Sequence, residues 1–296
     1  MYLLSYFPPE VVLRDGSFEA LGLSNSAPGR PFLSFLDDAR YAEELYANPE
    51  IACVICRPEA ADTLAGHIQG IVLSDAPRTA YFTLHNRLAE TEGYRPHSAK
   101  TSIAPDCQIS PLAYIAPEGV TIGSGVVVEE FVSIHGPCSI GNGCVLHAGA
   151  KLGGTGFEFK LLEDCILDVV HCGALELGED VMIWENATIH RAVYPWDKTV
   201  IGSHTRIGAN SHIDHGAKIG AFCNVGAGAV ISGRTEMGER AKIGPGTTLS
   251  NRLHVGDGAN ASLGSVVTLD VPAGRTVSGN FAVDHEKHLA FLKKIR

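Results

Sequence analysis

Between Ile201 and Val255 an aliphatic residue returns at every sixth position: Ile201, Ile207, Ile213, Ile219, Val225, Ile231, Met237, Ile243, Leu249 and Val255. Seven of these ten are followed directly by glycine. A beat of six fits neither a helix of period 3.6 nor a strand of period 2. Strict repetition of this kind predicts a parallel β-helix built from hexapeptides, each supplying one short strand with its aliphatic residue inward and a glycine-rich bend. Three such strands make a coil of about 18 residues, so residues 18 apart stack at about one strand spacing, ~4.8 Å. Flat-faced prisms of this type associate readily into cyclic homo-oligomers.

The beat begins at Ile103, Ile109 and Ile115, and after one extra residue continues through Ile122, Val128, Ile134, Ile140, Leu146 and Leu152. It breaks over 153–170, returns at Leu177, Ile183 and Ile189, and breaks again over 190–199. A solenoid core tolerates no insertion inside a strand, so both interruptions must loop outward at corners, where they can wall a pocket. Pro272-Ala-Gly ends the solenoid, and Asp284–Ile295 reads as a helix capped by Asp284. Residues 1–98 lack the beat. There the pattern predicts a strand at Arg30–Leu36, a helix at Ala39–Ala47, a strand at Ala52–Cys56, a helix at Glu59–Ala65, a strand at Gly70–Leu73 and a helix at Pro77–Leu88. The expected organisation is a small α/β domain over 1–98, the β-helix over 99–273 and a C-terminal extension with a short helix over 274–296.

Composition narrows the classes. A net charge of −10 and a pI near 5.7 argue against nucleic-acid binding, which needs basic surface. No apolar run approaches the ~20 residues of a membrane span, and the first residues lack a basic region and cleavage site, so a cytoplasmic protein is expected. Six of the eight cysteines are scattered, consistent with reduced thiols. Cys53 and Cys56 form a C-x-x-C in a strand-like run, where residues three apart face opposite sides, and are expected to pack in a core. No metal site is expected.

The histidines are the chemical candidates: thirteen in all, with His171, His190, His204, His212 and His215 close in sequence. Around the inward Ile213, His212 and His215 should lie at or beyond the strand edges. An exposed imidazole suits a general base, although a solvated surface histidine is the commoner outcome. One coil above His215 stands Gly233, whose backbone N–H could stabilise an oxyanion beside that base, which is the minimum equipment for acyl transfer.

At these residues the chain resembles the UDP-3-O-acylglucosamine N-acyltransferases of lipid A biosynthesis and relatives that acylate nucleotide-linked amino sugars. Leu33-Ser-Phe-Leu-Asp-Asp-Ala-Arg-Tyr is similar to a family segment whose aromatics hold uracil, pointing to Phe35, Asp38 and Tyr41. Gly153-Gly-Thr-Gly-Phe-Glu-Phe resembles a glycine- and phenylalanine-rich loop, pointing to Gly156, Phe157 and Phe159. Ile213-Asp-His-Gly resembles the segment carrying the catalytic histidine, and Thr276-Val-Ser-Gly-Asn with the following helix resembles the family's C-terminal exit. The resemblance implies a nucleotide-binding role for the α/β domain and a left-handed β-helix homotrimer with sites between subunits. It also implies an acyl thioester on acyl carrier protein or coenzyme A as co-substrate, with no permanently bound cofactor. His215 would act as base and Gly233 as oxyanion donor, with His171, His190 and His212 lining the substrate site, in a lipid A or O-antigen pathway.

Departures from the pattern favour a different sugar or acyl donor. Asp38 stands for asparagine, Thr155 and Glu158 alter the loop, Arg252 replaces a histidine, and His190 replaces an aspartate. Phe35 and Tyr41 fit a core as well as a base sandwich. Trp184, Tyr194 and Trp196 fit an aromatic wall or a subunit interface. Two other classes stay open: a zinc carbonic anhydrase of β-helix type, for which the three-residue spacing of His212 and His215 is wrong, and a non-catalytic scaffold.

Overall fold

The computed structural model describes residues 2–64, 66–96, 98–162, 165–279 and 282–295. Ala65 of the expected second helix and Asn280 of the C-terminal exit segment lie outside the described residues, as do Glu163 and Asp164 within the first interruption. The chain divides into two compact units. One comprises residues 1–98, 155–174 and 191–198; the other comprises 99–154, 175–190 and 199–296.

The second unit is the solenoid. Its strands, mostly two to four residues long, stack into three parallel sheets of eight, eight and nine strands. The inward aliphatics form one column of buried residues from Val120 to Val271. Registers follow the spacing. Ile213 pairs with Ile231, 18 residues on. The single extra residue before Ile122 makes the first registers 19, as in Gln108 with Val127. Across the first interruption Leu152 pairs with Ile189, and across the second Ile189 pairs with Ile213. Both interruptions leave the sheet registers in phase, so the inserted residues are expelled from the coil. Small polar residues share the interior at the bends: Thr205, Ser211, Thr235 and Thr247 donate to carbonyls 15 residues on, at 2.9–3.1 Å. A buried hydroxyl without such a partner would be destabilising.

Several corners hold non-glycine residues in the left-handed region, among them Phe131, His204, Phe222, Arg234, Arg240 and Arg252, with φ between 57° and 61°. Each costs about 1 kcal/mol or more relative to glycine.

The first unit is built on a five-stranded sheet in the order 12–14, 70–73, 51–56, 32–36, 20–21; only its 12–14 edge strand is antiparallel. The expected elements are present, with modified ends. The first helix opens as a 3-10 turn at Ala39–Tyr41 before α-helix Ala42–Tyr46, and the second is a 3-10 turn at Pro58–Ala60 followed by Ala61–Leu64. The 13-residue helix Pro77–Ala89 covers one sheet face. Cys53 and Cys56 are free and fully buried in the two clusters on opposite faces of the sheet. Desolvation pushes their thiols up to about 12 and about 11, so neither is a thiolate at neutral pH.

The interruptions join this same unit. Residues 159–168 form a hairpin, with Phe159–Leu161 antiparallel to Ile166–Asp168. Its return is clamped to the long helix. The Asn86 amide donates to the Asp168 carbonyl (2.7 Å) and accepts from the Val170 N–H (3.0 Å). Buried His85 lies 2.7 Å from the Val170 carbonyl and 2.9 Å from the Tyr94 hydroxyl. Tyr194 is buried between Tyr81 and a parallel-stacked Trp196, whose indole N–H donates to the Leu21 carbonyl at 2.8 Å. These two aromatics serve as anchors of the α/β core. Helix His285–Ile295 closes the described chain, with Asp284 accepting from the Lys287 N–H (3.3 Å).

Candidate active site

The strand His212–Ile213 fixes the central geometry. Ile213 is fully buried, so alternation turns its neighbours His212 and Asp214 to the outer face together. One coil below, Thr188 and Ile189 pair with His212 and Ile213, which sets His190 beneath Asp214. One coil above, Val230 and Ile231 pair with them, which sets Gly233 over His215. Five chemistry-bearing residues (His190, His212, Asp214, His215 and Gly233) therefore sit on adjacent rungs although 24 and 18 residues separate the rungs in sequence.

Asp214 is the hub. Its Oδ1 lies 3.1 Å from His190 Nδ1 and accepts from the His215 backbone N–H at 2.8 Å. Burial alone would raise the Asp214 carboxyl, but the His190 hydrogen bond, the charge of His215 and the His215 N–H outweigh it and hold the carboxyl at about 2. His212 meets His190 edge-on, with ring centroids 4.8 Å apart. Burial, with the adjacent His190, pushes the His212 imidazole down, so it is neutral at physiological pH. Asp214 was invisible to motif reading. The signal that finds it is the combination of strand alternation with the register across the second interruption, which sets residue 190 under residue 214.

His215 is half-buried, and its ring lies against Gly233. A Cβ at position 233 would stand 2.9 Å from His215 Cε1 and Nε2 and 3.2 Å from its carbonyl oxygen. Only glycine allows this approach. The bend is held by the Arg234 N–H donating to the His215 carbonyl (2.9 Å) and the Arg252 N–H donating to the Gly233 carbonyl (3.1 Å). Among the described residues, the Gly233 N–H donates to no backbone carbonyl.

The α/β unit carries the second group of candidates. Phe35 lies on strand Phe32–Leu36 with its ring 5.0 Å from Tyr81 and 6.1 Å from Phe82, under the Arg78 guanidinium at 5.5 Å. Asp38 caps the following 3-10 turn and grips Arg40, accepting from its N–H (2.9 Å), Nε (2.9 Å) and Nη2 (2.7 Å). These hydrogen bonds from Arg40 lower the Asp38 carboxyl below the usual range. Tyr41 is exposed, with the Arg40 guanidinium 6.0 Å from its ring. In the first interruption Gly156 is half-buried, Phe157 is 80% exposed, and Phe157 meets Phe159 edge-on at 5.0 Å. Lys160 pairs with Glu158 and lies 4.3 Å above the Phe82 ring, so the loop and the Phe35 segment meet on the same helix. His171 is buried, with Nδ1 2.9 Å from the Val169 carbonyl. Trp184 lies 5.4 Å from His147, whose Nδ1 is 3.0 Å from Glu129.

Comparison with known proteins agrees with this architecture. The family model described as bacterial transferase hexapeptide (six repeats) matches residues 119–154 and 198–233. UDP-3-O-acylglucosamine N-acyltransferase of Paracidovorax citrulli is 30% identical over 60% of this chain and 54% of its own length. The protein of that name from Pseudomonas syringae pv. tomato is 26% identical over 67% of this chain and 61% of its own. The chain thus spans between half and two-thirds of the length of these curated relatives. The crystal structure of Francisella novicida UDP-N-acetylglucosamine acyltransferase superposes with a TM-score of 0.56 at 21% identity, covering 68% of this chain and 72% of that one, which establishes the shared fold. Among the described residues no helix is long and apolar enough to cross a membrane. The chain is a left-handed hexapeptide-repeat β-helix protein, similar over part of its length to the proteins named UDP-3-O-acylglucosamine N-acyltransferase.

Proposed function

We propose that the protein is an N-acyltransferase that moves an acyl group from a phosphopantetheine thioester, on acyl carrier protein or coenzyme A, to the amine of a nucleotide-linked amino sugar. The observation that carries this reading is the His215 ring edge set against Gly233. As the sugar nitrogen attacks the thioester carbonyl, His215 takes the proton from nitrogen. The Gly233 N–H donates to the oxyanion, which needs stabilisation only in the tetrahedral state. Collapse breaks the C–S bond, the proton passes to sulfur, and amide and thiol leave. Binding both substrates together supplies much of the acceleration. Neither a metal ion nor a covalent enzyme intermediate takes part in these steps.

In this reading Asp214 is a positioning residue: its carboxylate holds the His215 backbone N–H, and its negative charge favours the imidazolium that forms transiently. The α/β unit binds the nucleotide through Phe35 and Tyr41. Because Arg40 engages Asp38, that carboxylate is already satisfied and leaves base recognition to its neighbours. Phe157 and Phe159 line the sugar or acyl pocket, and the working form is a homotrimer. Mass spectrometry of products from a panel of nucleotide amino sugars with several acyl donors tests this. An amide product that disappears in a folded His215→Ala variant is expected. No amide from any pair, or unchanged product formation by the variant, rejects the reading.

A further inference from the structure

We propose that His190, His212 and Asp214 form a binding site for one divalent first-row transition-metal ion, with zinc the best match. One ligand atom from each residue lies within 4.8 Å of those of the other two. Around a tetrahedral zinc with bonds of about 2.0–2.2 Å, ligand atoms stand about 3.3 Å apart. Side-chain rotation of about 1.5 Å or less therefore closes the triad on an ion without moving the backbone.

Three features point to a built site. All three side chains project from hydrogen-bonded rungs of the same sheet, so their anchors are fixed by the solenoid register. The side chains of His190 and Asp214 are only 12% and 16% exposed, which limits competing hydration. Among the described residues neither ring nitrogen of His212 has a hydrogen-bond partner, although the side chain is half-buried and aimed at His190. Neither nitrogen is fully buried, so His212 keeps a lone pair within reach of solvent and open to an ion.

The donor set decides the ion. Two imidazoles and one carboxylate suit zinc or ferrous iron, whereas magnesium and calcium favour all-oxygen shells. Three protein ligands leave a fourth position open. Asp214 Oδ1, held by the His215 N–H, would be supported from behind as metal-bound carboxylates usually are. The inference goes beyond the acyl-transfer reading, which uses no ion, and does not rest on it.

The test is zinc titration of the chelator-stripped full-length chain against a chromophoric chelator, with cobalt substitution as a spectroscopic check. One ion per chain is expected with a dissociation constant of about 1 µM or tighter, and cobalt should give visible ligand-field bands. His212→Ala and Asp214→Asn should each weaken zinc by about 100-fold or more, judged against the 10- to 100-fold typical of outer-shell losses. His215→Ala should leave affinity within about threefold, a single lost outer contact that keeps the backbone N–H. Thermal unfolding of each variant separates lost ligation from lost fold, and His212→Gln serves should the alanine variant be unstable. Absence of binding at about 100 µM zinc, or affinity lost in His215→Ala but kept in His212→Ala, overturns the assignment. Zinc binding without acyl transfer rejects the proposed activity alone; acyl transfer without zinc binding rejects the metal site alone.

Discussion

The solenoid and the α/β unit solve the same problem of burying apolar residues by opposite means. In the solenoid each coil buries one inward aliphatic per face against its two neighbours, and position along the stack follows from residue number. In the α/β unit the core gathers Leu4, Phe18, Tyr81, Leu88, Val169, Cys172 and Tyr194, drawn from three separate stretches of chain. The first arrangement is uniform and local. The second depends on distant pieces arriving. The contrast shows why the interruptions are where they are: a periodic body provides a ruled surface, and aperiodic loops bring individual side chains to other parts of the molecule.

The largest expected effect lies on the ruled surface. His215→Ala should lower turnover by about 10²–10⁴-fold with unfolding temperature unchanged, because the residue lies outside the buried column; steady-state kinetics beside thermal unfolding checks this. On the aperiodic side, Tyr194→Ala should cost about 3–5 kcal/mol, the range for removing a buried aromatic, measured by denaturant unfolding. A small cost would mean that the second interruption is a passenger on the α/β core.

A third effect separates the units by pH. Burial holds the His85 imidazole down to about 4, so it is neutral when folded and protonates near its ordinary value of 6.5 when unfolded. Stability from this group is therefore complete above about pH 6.5 and falls as pH drops toward 4, by about 3 kcal/mol in total. Denaturant unfolding at pH 7, 5.5 and 4.5 should show that loss, and His85→Gln should flatten it. Gly233→Ala should cut turnover by about 10- to 100-fold through displacement of the His215 ring, less than loss of a whole catalytic group. Its Cβ would meet that ring at 2.9 Å, so the kinetics should be accompanied by an altered His215 imidazole signal in NMR spectra. The smallest effect on stability belongs to Phe157→Ala, within about 0.5 kcal/mol for so exposed a side chain. A rise in KM with stability unchanged would mark it as a pocket residue.

Legibility in the sequence followed the same division. The beat of six sets every rung, including the phase kept across both interruptions, because a column of aliphatics allows one inward residue per strand. His215 and Gly233 could be placed together by counting 18. Asp214 is not given a role by counting 18, since its partner His190 lies 24 residues back, one coil below across the second interruption. The use of Tyr194 and Trp196 as core anchors was equally hidden: nothing in a local pattern shows that an indole 175 residues away will donate to the Leu21 carbonyl. The Asp38–Arg40 grip lies within one turn, but a carboxylate beside an arginine is too common in sequence to carry a reading alone.

The division of the α/β unit among three stretches also orders its assembly during synthesis. Strands and helices up to residue 98 leave the ribosome before the solenoid, yet their core lacks Val169, Cys172, Tyr194 and Trp196 until residue 198 has emerged. The coils of 99–154 are complete by then. The earlier-made segment thus finishes folding late, and a chain stalled before residue 190 would leave the apolar face of the α/β unit uncovered.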